Sequence, residues 1–294
     1  MTAAPEREAV FHVRHTTEYS YPEQVAGSVH DATLVLRETP RQRVHYSRIT
    51  VEPEPRSLTT RRDYFGNHLT RFITETAQNR LHVDAESEVA LGQGPPPETG
   101  DALPLVALRR QMHRARTPAD LSALEFVFDS QYVPRSGRLA AWADPVFGES
   151  GGFLAGVAGL MHRIHREFRY DAAVTEISTP VEEVLERKEG VCQDFAHLMI
   201  GCLRSLGIPA RYVSGYLVPL PGVLGAQASH AWVSVYAPGP GWVDFDPTND
   251  VMPSGGHITV AWGRDYGDVS PLRGVIFGGG EHTLRVEVSV GRIR

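Results

Sequence analysis

The amino-acid sequence predicts an α+β protein in which an N-terminal β-sandwich is joined to a core of helices and an antiparallel sheet. Three observations predict this fold. Short segments rich in β-branched and aromatic residues, parted by Pro- and Gly-containing turns, recur from residue 10 to about residue 91. A helical pattern begins at Cys192, and a hairpin pattern covers residues 229–246. The short strands are typical of a sandwich, and the helix and hairpin together indicate the mixed core.

The composition is that of an ordinary globular protein. The 294 residues are 41% hydrophobic and 22% charged, with a net charge of -6 and a pI near 6.1. This balance provides no basic patch, so we expect neither nucleic acid nor an anionic membrane as a partner. Residues 1–10 contain two glutamates and no apolar core, and the longest apolar run, at 153–161, is too short to span a bilayer. We therefore expect a soluble, cytoplasmic protein.

The N-terminal strands are predicted at residues 10–15, 32–36, 44–51, 69–74 and 81–89. Segment 63–67, Asp-Tyr-Phe-Gly-Asn, is interpreted as a turn rather than a binding loop, because Asp, Gly and Asn are turn residues. Residues 92–104 have the Gly- and Pro-rich composition of a linker. We therefore divide the chain into an N-terminal domain at 1–92, a linker with connecting helices at 93–150 and a catalytic domain at 151–294.

Two helices are expected before the cysteine. Apolar residues recur every three or four positions over 152–168, and a shorter helix runs from about residue 180 to Lys188. The third helix has Cys192 in its first turn and ends at the Gly-Ile-Pro of 207–209. Unpaired amides and the helix dipole at this position favour a thiolate, which is the nucleophilic form of cysteine. The alternative is that Cys192 is a small buried hydrophobic residue.

The hairpin supplies two partners for a reactive cysteine. Its strands are predicted at 229–236 and 242–246, with a turn at 237–241. If Tyr236 faces Trp242, then His230 and Asp246 share one face and lie opposite or one diagonal apart, whereas Asp244 lies further along the strand. A nucleophile, a base and a carboxylate that orients the base are the parts needed for acyl transfer.

Two other polar residues lie close to the cysteine. Asp194 is interpreted as a helix cap, and His197 as a residue that faces away, since it lies about 140° round the helix from Cys192. Cys192 and Cys202 are ten residues apart on one predicted helix, which is too far for a disulfide. No paired Cys-x-x-Cys or His spacing accompanies them, so we expect neither a metal nor a cofactor.

Four motifs carry a family resemblance: Gly-Val-Cys-Gln-Asp-Phe-Ala at 190–196, Gly-Ile-Pro-Ala-Arg-Tyr-Val-Ser-Gly-Tyr at 207–216, Ser-His-Ala-Trp at 229–232 and Gly-Trp-Val-Asp-Phe-Asp-Pro-Thr-Asn at 241–249. They resemble the transglutaminase-like core. Segments 63–67 and 263–269 resemble the bacterial branch that has an N-terminal β domain. The resemblance implies a transglutaminase/papain-like core with its triad on Cys192, His230 and Asp246.

Further site residues are suggested by the same motifs. The family resemblance places an aromatic segment before the cysteine, so Tyr170 is a candidate oxyanion donor, with a plain strand tyrosine as the alternative. Gln193, Tyr216 and Trp232 are candidates to line the oxyanion or substrate site. Loop 219–228 ends at the histidine and either gates the cleft or is a surface loop without function.

The resemblance implies a cysteine peptidase or amidase that acts on a peptide or protein substrate. The alternative is a cross-linking protein-glutamine gamma-glutamyltransferase, since both activities proceed through an acyl-enzyme. The absence of an Asp-rich calcium loop from the sequence favours hydrolysis. A non-catalytic binding module is a third possibility, but such a module has no need of all three triad residues. The sequence does not indicate an oligomeric state.

Overall fold

The N-terminal region is a sheet organised around one long strand. The computed structural model describes residues 8–92, 103–115, 117–148, 152–171 and 179–293. The first strands are β1 (Glu8–Ala32), β2 (Gln42–Glu52), β3 (Ser57–Arg62), β4 (His68–Thr74) and β5 (Gln78–Gly92). The first half of β1 pairs with β5 and its second half pairs with β4, while β2 and β3 lie outside β5 and β4. The linker predicted at 92–104 lies largely outside the described residues.

Helices cover most of the middle of the described chain. They are α1 (Leu105–His113), α2 (Pro118–Leu124), α3 (Gly137–Ala143), α4 (Phe153–Glu167), α5 (Val181–Arg187) and α6 (Cys192–Ser205). Two short strands, β6 (Arg169–Tyr170) before α5 and β7 (Glu189–Gly190) after it, pair in parallel with each other. Helix α6 is buried on nearly all sides, with α3, α4 and α5 packed against it. Such complete burial fits an apolar helix at the centre of a core.

The second sheet is antiparallel and carries α6 on one face. Its strands are β8 (Ala210–Leu217), β9 (His230–Ala237), β10 (Gly241–Phe245) and β11 (His257–Gly263), in the order β10-β9-β8-β11. Alternate residues of β9, such as Ala231 and Val233, join the apolar cluster that contains Phe195 of α6. Trp242 pairs with Tyr236, as predicted for the hairpin. A short helix, α7 (Tyr266–Val269), follows β11.

The last two strands return to the first sheet. Strand β12 (Leu272–Gly278) pairs with the second half of β1, and β13 (Thr283–Arg292) pairs with the first half. Residues from β1, β2, β4, β5 and β12 share one apolar cluster, so the two halves of this sheet pack on each other as a sandwich does. The predicted catalytic domain at 151–294 therefore contributes its final strands to the N-terminal sheet.

The two sheets are joined by a shared core and by two amide side chains. Phe11 of β1 and Val89 of β5 belong to the same apolar cluster as α6. Gln42 donates to the Thr259 carbonyl at 2.7 Å and accepts from the Thr259 amide at 2.8 Å. Asn67 makes the same pair of bonds to Trp262, at 2.8 and 3.0 Å. These two side-chain amides form hydrogen bonds to backbone groups on the open edge of β11, which would otherwise be unpaired.

Several strands differ from the sequence prediction. The strand expected at 32–36 is the end of β1 plus an extended segment whose Leu34 and Leu36 are buried without strand pairing. Strand β3 was not predicted because all six of its side chains are exposed and it has no apolar alternation. Segment 63–67 is a turn as predicted, closed by a bond from the Asn67 amide to Asp63 at 2.7 Å. Within the described residues, no helix combines the length and the apolar character needed to cross a bilayer.

Candidate active site

Cys192 is the first residue of α6, and its position is set by the residues on either side. The Val191 amide donates to the Asp194 carboxylate at 2.8 Å, so Asp194 caps the helix as the sequence predicted. A Cβ atom on Gly190 would lie 2.8 Å from an oxygen of this carboxylate. Only glycine fits there, because the cap needs the backbone of residue 190 close to Asp194. The cap thereby holds the cysteine at the positive end of the helix dipole.

His230 and Asp246 form a buried pair. His230 is the first residue of β9, and its Nε2 lies 2.8 Å from Asp246 Oδ2, with both side chains fully buried. The turn after β10 fixes the carboxylate: Asp246 Oδ1 accepts from the Thr248 amide at 2.9 Å, and Oδ2 accepts from the Asn249 side chain at 2.9 Å. Burial alone would raise the pKa of Asp246, but the two histidines around it hold that pKa well below its usual value.

Cys192 interacts with the same imidazole. Burial alone would lower the pKa of His230, but the charge and hydrogen bond of Asp246, followed by the Cys192 thiol, raise that pKa to about 10. Nε2 is bonded to Asp246, and Nδ1 is buried with no other hydrogen-bond partner of normal geometry in the described residues. The imidazole is therefore held by a carboxylate on one side and leaves its second nitrogen for the thiol.

The sequence did not identify the second histidine at this carboxylate. His257, the first residue of β11, places Nε2 at 3.0 Å from Asp246 Oδ2. Trp232 packs against both imidazoles, with ring centroids 6.3 Å from His230 and 5.1 Å from His257. The Trp232 indole donates a hydrogen bond to Asp244 at 3.2 Å. Asp244, the other aspartate of the hairpin, is therefore a hydrogen-bond partner of the tryptophan. A histidine at a strand start carries no sequence signal for this contact.

Three side chains here have the types and spacing of metal ligands. One ligand atom from each of His230, Asp246 and His257 lies within 4.8 Å of the others. In this arrangement both Nε2 atoms instead make hydrogen bonds to one carboxylate oxygen, which also accepts from Asn249. The set therefore works as a hydrogen-bonded carboxylate with three donors.

The structure places the other candidate residues in different surroundings. Tyr170 is half-buried next to Gly190, and burial, followed by the charges of Cys192 and Asp194, raises the pKa of its phenol to about 12. Gln193 follows the cysteine on α6 and is partly exposed. Tyr216 is buried, and its hydroxyl lies 2.9 Å from a ring nitrogen of His15 on β1, so it is bonded within the protein.

Trp232 and His197 are both buried. Trp232 packs behind the imidazole of His230 rather than at an open surface. His197 faces away from the cysteine as predicted: its ring stacks on Tyr132, and its Nε2 accepts from the Tyr266 amide at 3.2 Å. Burial lowers the pKa of His197 to about 4. The ring is therefore a neutral part of the core.

The loop before β9 lies directly over the imidazole. Gly225 has a φ of +87°, and a Cβ atom on it would lie 2.8 Å from His230 Nδ1. The adjacent Leu224 is tied to Asn249 by two bonds, from its amide at 2.8 Å and to its carbonyl at 3.2 Å. Since Asn249 also bonds Asp246, the loop is fixed to the same carboxylate as His230. The position of loop 219–228 is thus coupled to the His230 and Asp246 pair.

Comparison with known proteins agrees with this architecture. Residues 140–247 match the transglutaminase-like superfamily, and residues 11–90 match the bacterial transglutaminase-like N-terminal region. An uncharacterized protein of Mycobacterium tuberculosis is 38% identical over 289 residues, which cover 95% of this chain and 91% of that protein.

Two further proteins resemble the chain over different lengths. A protein-glutamine gamma-glutamyltransferase of Pseudomonas aeruginosa is 35% identical over 133 residues, covering 40% of this chain and 20% of that enzyme. The crystal structure of a candidate cysteine protease from Cytophaga hutchinsonii superposes with a TM-score of 0.79 at 21% identity, covering 98% of this chain and 92% of that one. The chain therefore belongs to the transglutaminase-like superfamily, in the form that has the bacterial N-terminal region.

Proposed function

We propose that the protein is a thiol-dependent hydrolase of amide bonds in peptides or proteins, with Cys192 as nucleophile, His230 as acid and base, and Asp246 as the group that orients the histidine. The observation that carries this proposal is the buried His230, bonded to Asp246 through Nε2 and interacting with the Cys192 thiol at the start of α6. A base fixed in this way matches the requirement for nucleophilic catalysis by cysteine.

The proposed reaction has two halves. The Cys192 thiolate attacks the carbonyl carbon, and the carbonyl π electrons move to the oxygen to give a tetrahedral intermediate. The protonated His230 then donates its proton to the departing amine as the C–N bond breaks, which leaves an acyl-enzyme. In the second half, His230 removes a proton from water, the hydroxide attacks the thioester, and the Cys192 thiolate leaves as the carboxylic acid is released.

The oxyanion needs donors that already point at it. The Cys192 backbone amide belongs to the first turn of α6, whose amides have no intrahelical carbonyl to bond. It is the first proposed donor. Tyr170 is the proposed second donor. The charge of Cys192 contributes to the raised pKa of its phenol, and Tyr170 pairs with Gly190 on the neighbouring strand. A high phenol pKa keeps this hydroxyl protonated and able to donate.

Transfer of the acyl group to an amine is the alternative activity. It is favoured by the local similarity to the Pseudomonas aeruginosa protein-glutamine gamma-glutamyltransferase. The only lysine of the chain, Lys188, is a poor acceptor for self-cross-linking, since its ammonium is 3.1 Å from Glu167 and packs over Trp142 and Phe168. Hydrolysis is the activity we propose, and foreign amines are the test of the alternative. A non-catalytic binding module would have no need of Cys192 beside a buried His230 that is bonded to Asp246.

The experiment follows the fate of the acyl group. Purified protein is incubated with a peptide panel and with glutamine substrates, with and without a dansylated alkylamine, and products are identified by mass. New peptide termini, or glutamine deamidation without amine adducts, would support hydrolysis. Adducts that exceed hydrolysis at millimolar amine would replace it by the transferase activity. Cys192→Ala should abolish turnover, and Cys202→Ala, which removes the other thiol, should keep it; turnover that survives in the Cys192 variant would end the cysteine mechanism.

A further inference from the structure

A cavity of about 530 Å³ lies between the two sheets. Its walls include Arg211, Trp242 and Asp244 of the core sheet and residues 39–42 of the N-terminal region. These core-sheet residues alternate with Tyr212 and Val243, which join the apolar cluster around α6. The cavity is therefore on the face of the sheet turned away from α6.

Arg211 is the unusual side chain in this cavity. It is 8% exposed and stacks between two indoles, with its guanidinium carbon 4.1 Å from the ring centre of Trp242 and 3.7 Å from that of Trp262. Its Nε atom is buried without a hydrogen-bond partner in the described part of the chain. Buried guanidinium groups are almost always bonded, because leaving their donors unpaired is costly. This arginine is thus fixed in place with its Nε donor unused.

A second guanidinium lies beside the same indole. Arg37 stacks on Trp262 at 3.1 Å, so one indole lies between two guanidinium groups. Burial lowers the pKa of Arg211 to about 9; the Asp244 carboxylate opposes this shift, and the weaker repulsion from Arg37 adds to it. Asp244 itself accepts a hydrogen bond from the Trp232 indole. A bound carboxylate would give the buried Nε of Arg211 the acceptor that it lacks.

We propose that this cavity binds the carboxylate of a small organic acid, held by Arg211. The planar guanidinium matches a carboxylate through two parallel N–H bonds, and its stacking between indoles means that little side-chain freedom is lost on binding. Asp244 shares the cavity, so a monoanion is accommodated better than a doubly charged phosphate. Trp242 and Trp262 provide apolar walls for the hydrocarbon part of the acid.

The cavity also borders the triad. His257 lines it, and its Nε2 donates to Asp246 Oδ2 at 3.0 Å. The proposed acid site is nevertheless independent of the hydrolase proposal, because its contacts are to Arg211 and the two tryptophans. Binding is therefore measured directly, without any assay of turnover.

The test is a titration of the full chain with acetate, butyrate, phosphate and the neutral acetamide at fixed ionic strength. Binding is followed by tryptophan fluorescence, since two indoles enclose Arg211, and by calorimetry. We expect saturable binding of acetate or butyrate, no binding of acetamide, and at least tenfold weaker carboxylate binding in Arg211→Met. Arg37→Lys is the matched control, because residue 37 stacks on the same Trp262 outside the cavity and should leave binding within about twofold.

Three results would overturn the proposal. These are equal responses to acetate and acetamide, unchanged carboxylate affinity in a folded Arg211→Met, and phosphate binding in preference to both acids. If Arg211→Met does not fold, Arg211→Lys takes its place. This variant keeps the charge but cannot form two parallel N–H bonds, so we expect the same tenfold weaker carboxylate binding. The comparison of acetate with acetamide in the unmodified protein needs no variant.

Discussion

Replacing Gly225 by alanine tests whether loop 219–228 holds the His230 imidazole in place. The added methyl group would lie 2.8 Å from His230 Nδ1, whereas ordinary van der Waals contact begins near 3.4 Å. Either the ring or the loop must therefore move by roughly 0.6 Å. The loop is restrained by the two bonds between Leu224 and Asn249, so we expect the ring to yield.

The size of the effect follows from the His230 to Asp246 bond. A ring shift of this size would lengthen the 2.8 Å contact beyond the range of a good N–H···O bond, which ends near about 3.2 Å. Loss of a hydrogen bond to a charged group costs about 1.5–3 kcal/mol. This corresponds to a decrease in reactivity of roughly 10- to 100-fold. The positive φ adds strain of about 1–2 kcal/mol, which lowers Tm by a few degrees.

The measurement is the rate at which iodoacetamide alkylates Cys192, followed by intact mass. Cys202 is fully buried and burial raises the pKa of its thiol, so it serves as an unreactive reference within the same molecule. Gly222→Ala is the matched control. Gly222 is in the same loop with a φ of +85°, and a Cβ atom on it would have no neighbour within 4 Å.

We expect alkylation to be at least tenfold slower in the Gly225 variant and within about twofold of the parent in the Gly222 variant, with similar decreases in Tm for both. Equal alkylation rates in the two variants would contradict this expectation. That result would mean that the loop moves away from the imidazole and does not restrain it.

Three further predictions concern the proposed triad and the join between the sheets. The pKa of His230 is raised to about 10, so its charged form and the stability it provides are fully present below pH 6.5 and are lost as pH rises through about 10. The alkaline limb of kcat/KM should therefore lie near pH 10. Asp246→Asn should move that limb at least one unit lower, and an unmoved limb would assign it to another group. His257→Phe should lower kcat/KM about tenfold, because a hydrogen bond to the charged Asp246 is lost, while KM for the peptide substrate stays within twofold of the parent value. An unchanged kcat would show that His257 has no positioning role. Asn67→Ala should lower Tm by roughly 5–10 °C by calorimetry, since it leaves the Trp262 backbone groups unpaired in a buried site, and an unchanged Tm would show that water replaces the amide.

The contact between His230 and Asp246 could be predicted because a hairpin is local. Once Tyr236 and Trp242 face each other, strand alternation decides which residues share a face, and the observed register is the predicted one. Helix capping by Asp194 was predictable for the same reason, since the carboxylate accepts from the amide of Val191, only three residues earlier. Local geometry therefore predicted the contact between His230 and Asp246 and the cap of the cysteine helix.

Contacts between distant segments could not be derived in this way. His257 reaches Asp246 only because β11 pairs with β8 on the far side of the sheet from β10. The alternating pattern of the final strand showed that it needed a partner, but both sheets offered one. Arg211 looked like any polar residue at a strand start, and only its burial between two indoles distinguishes it.

The pairing of β13 with β1 determines the order in which the protein can be completed during synthesis. Phe11 pairs with Arg292, roughly 280 residues later, so the edge of β1 that receives β13 stays unpaired while the rest of the chain emerges from the ribosome. An open edge of this kind is a template for pairing with other nascent chains. The core that carries Cys192 is therefore synthesised before the sheet built on β1 has received this strand.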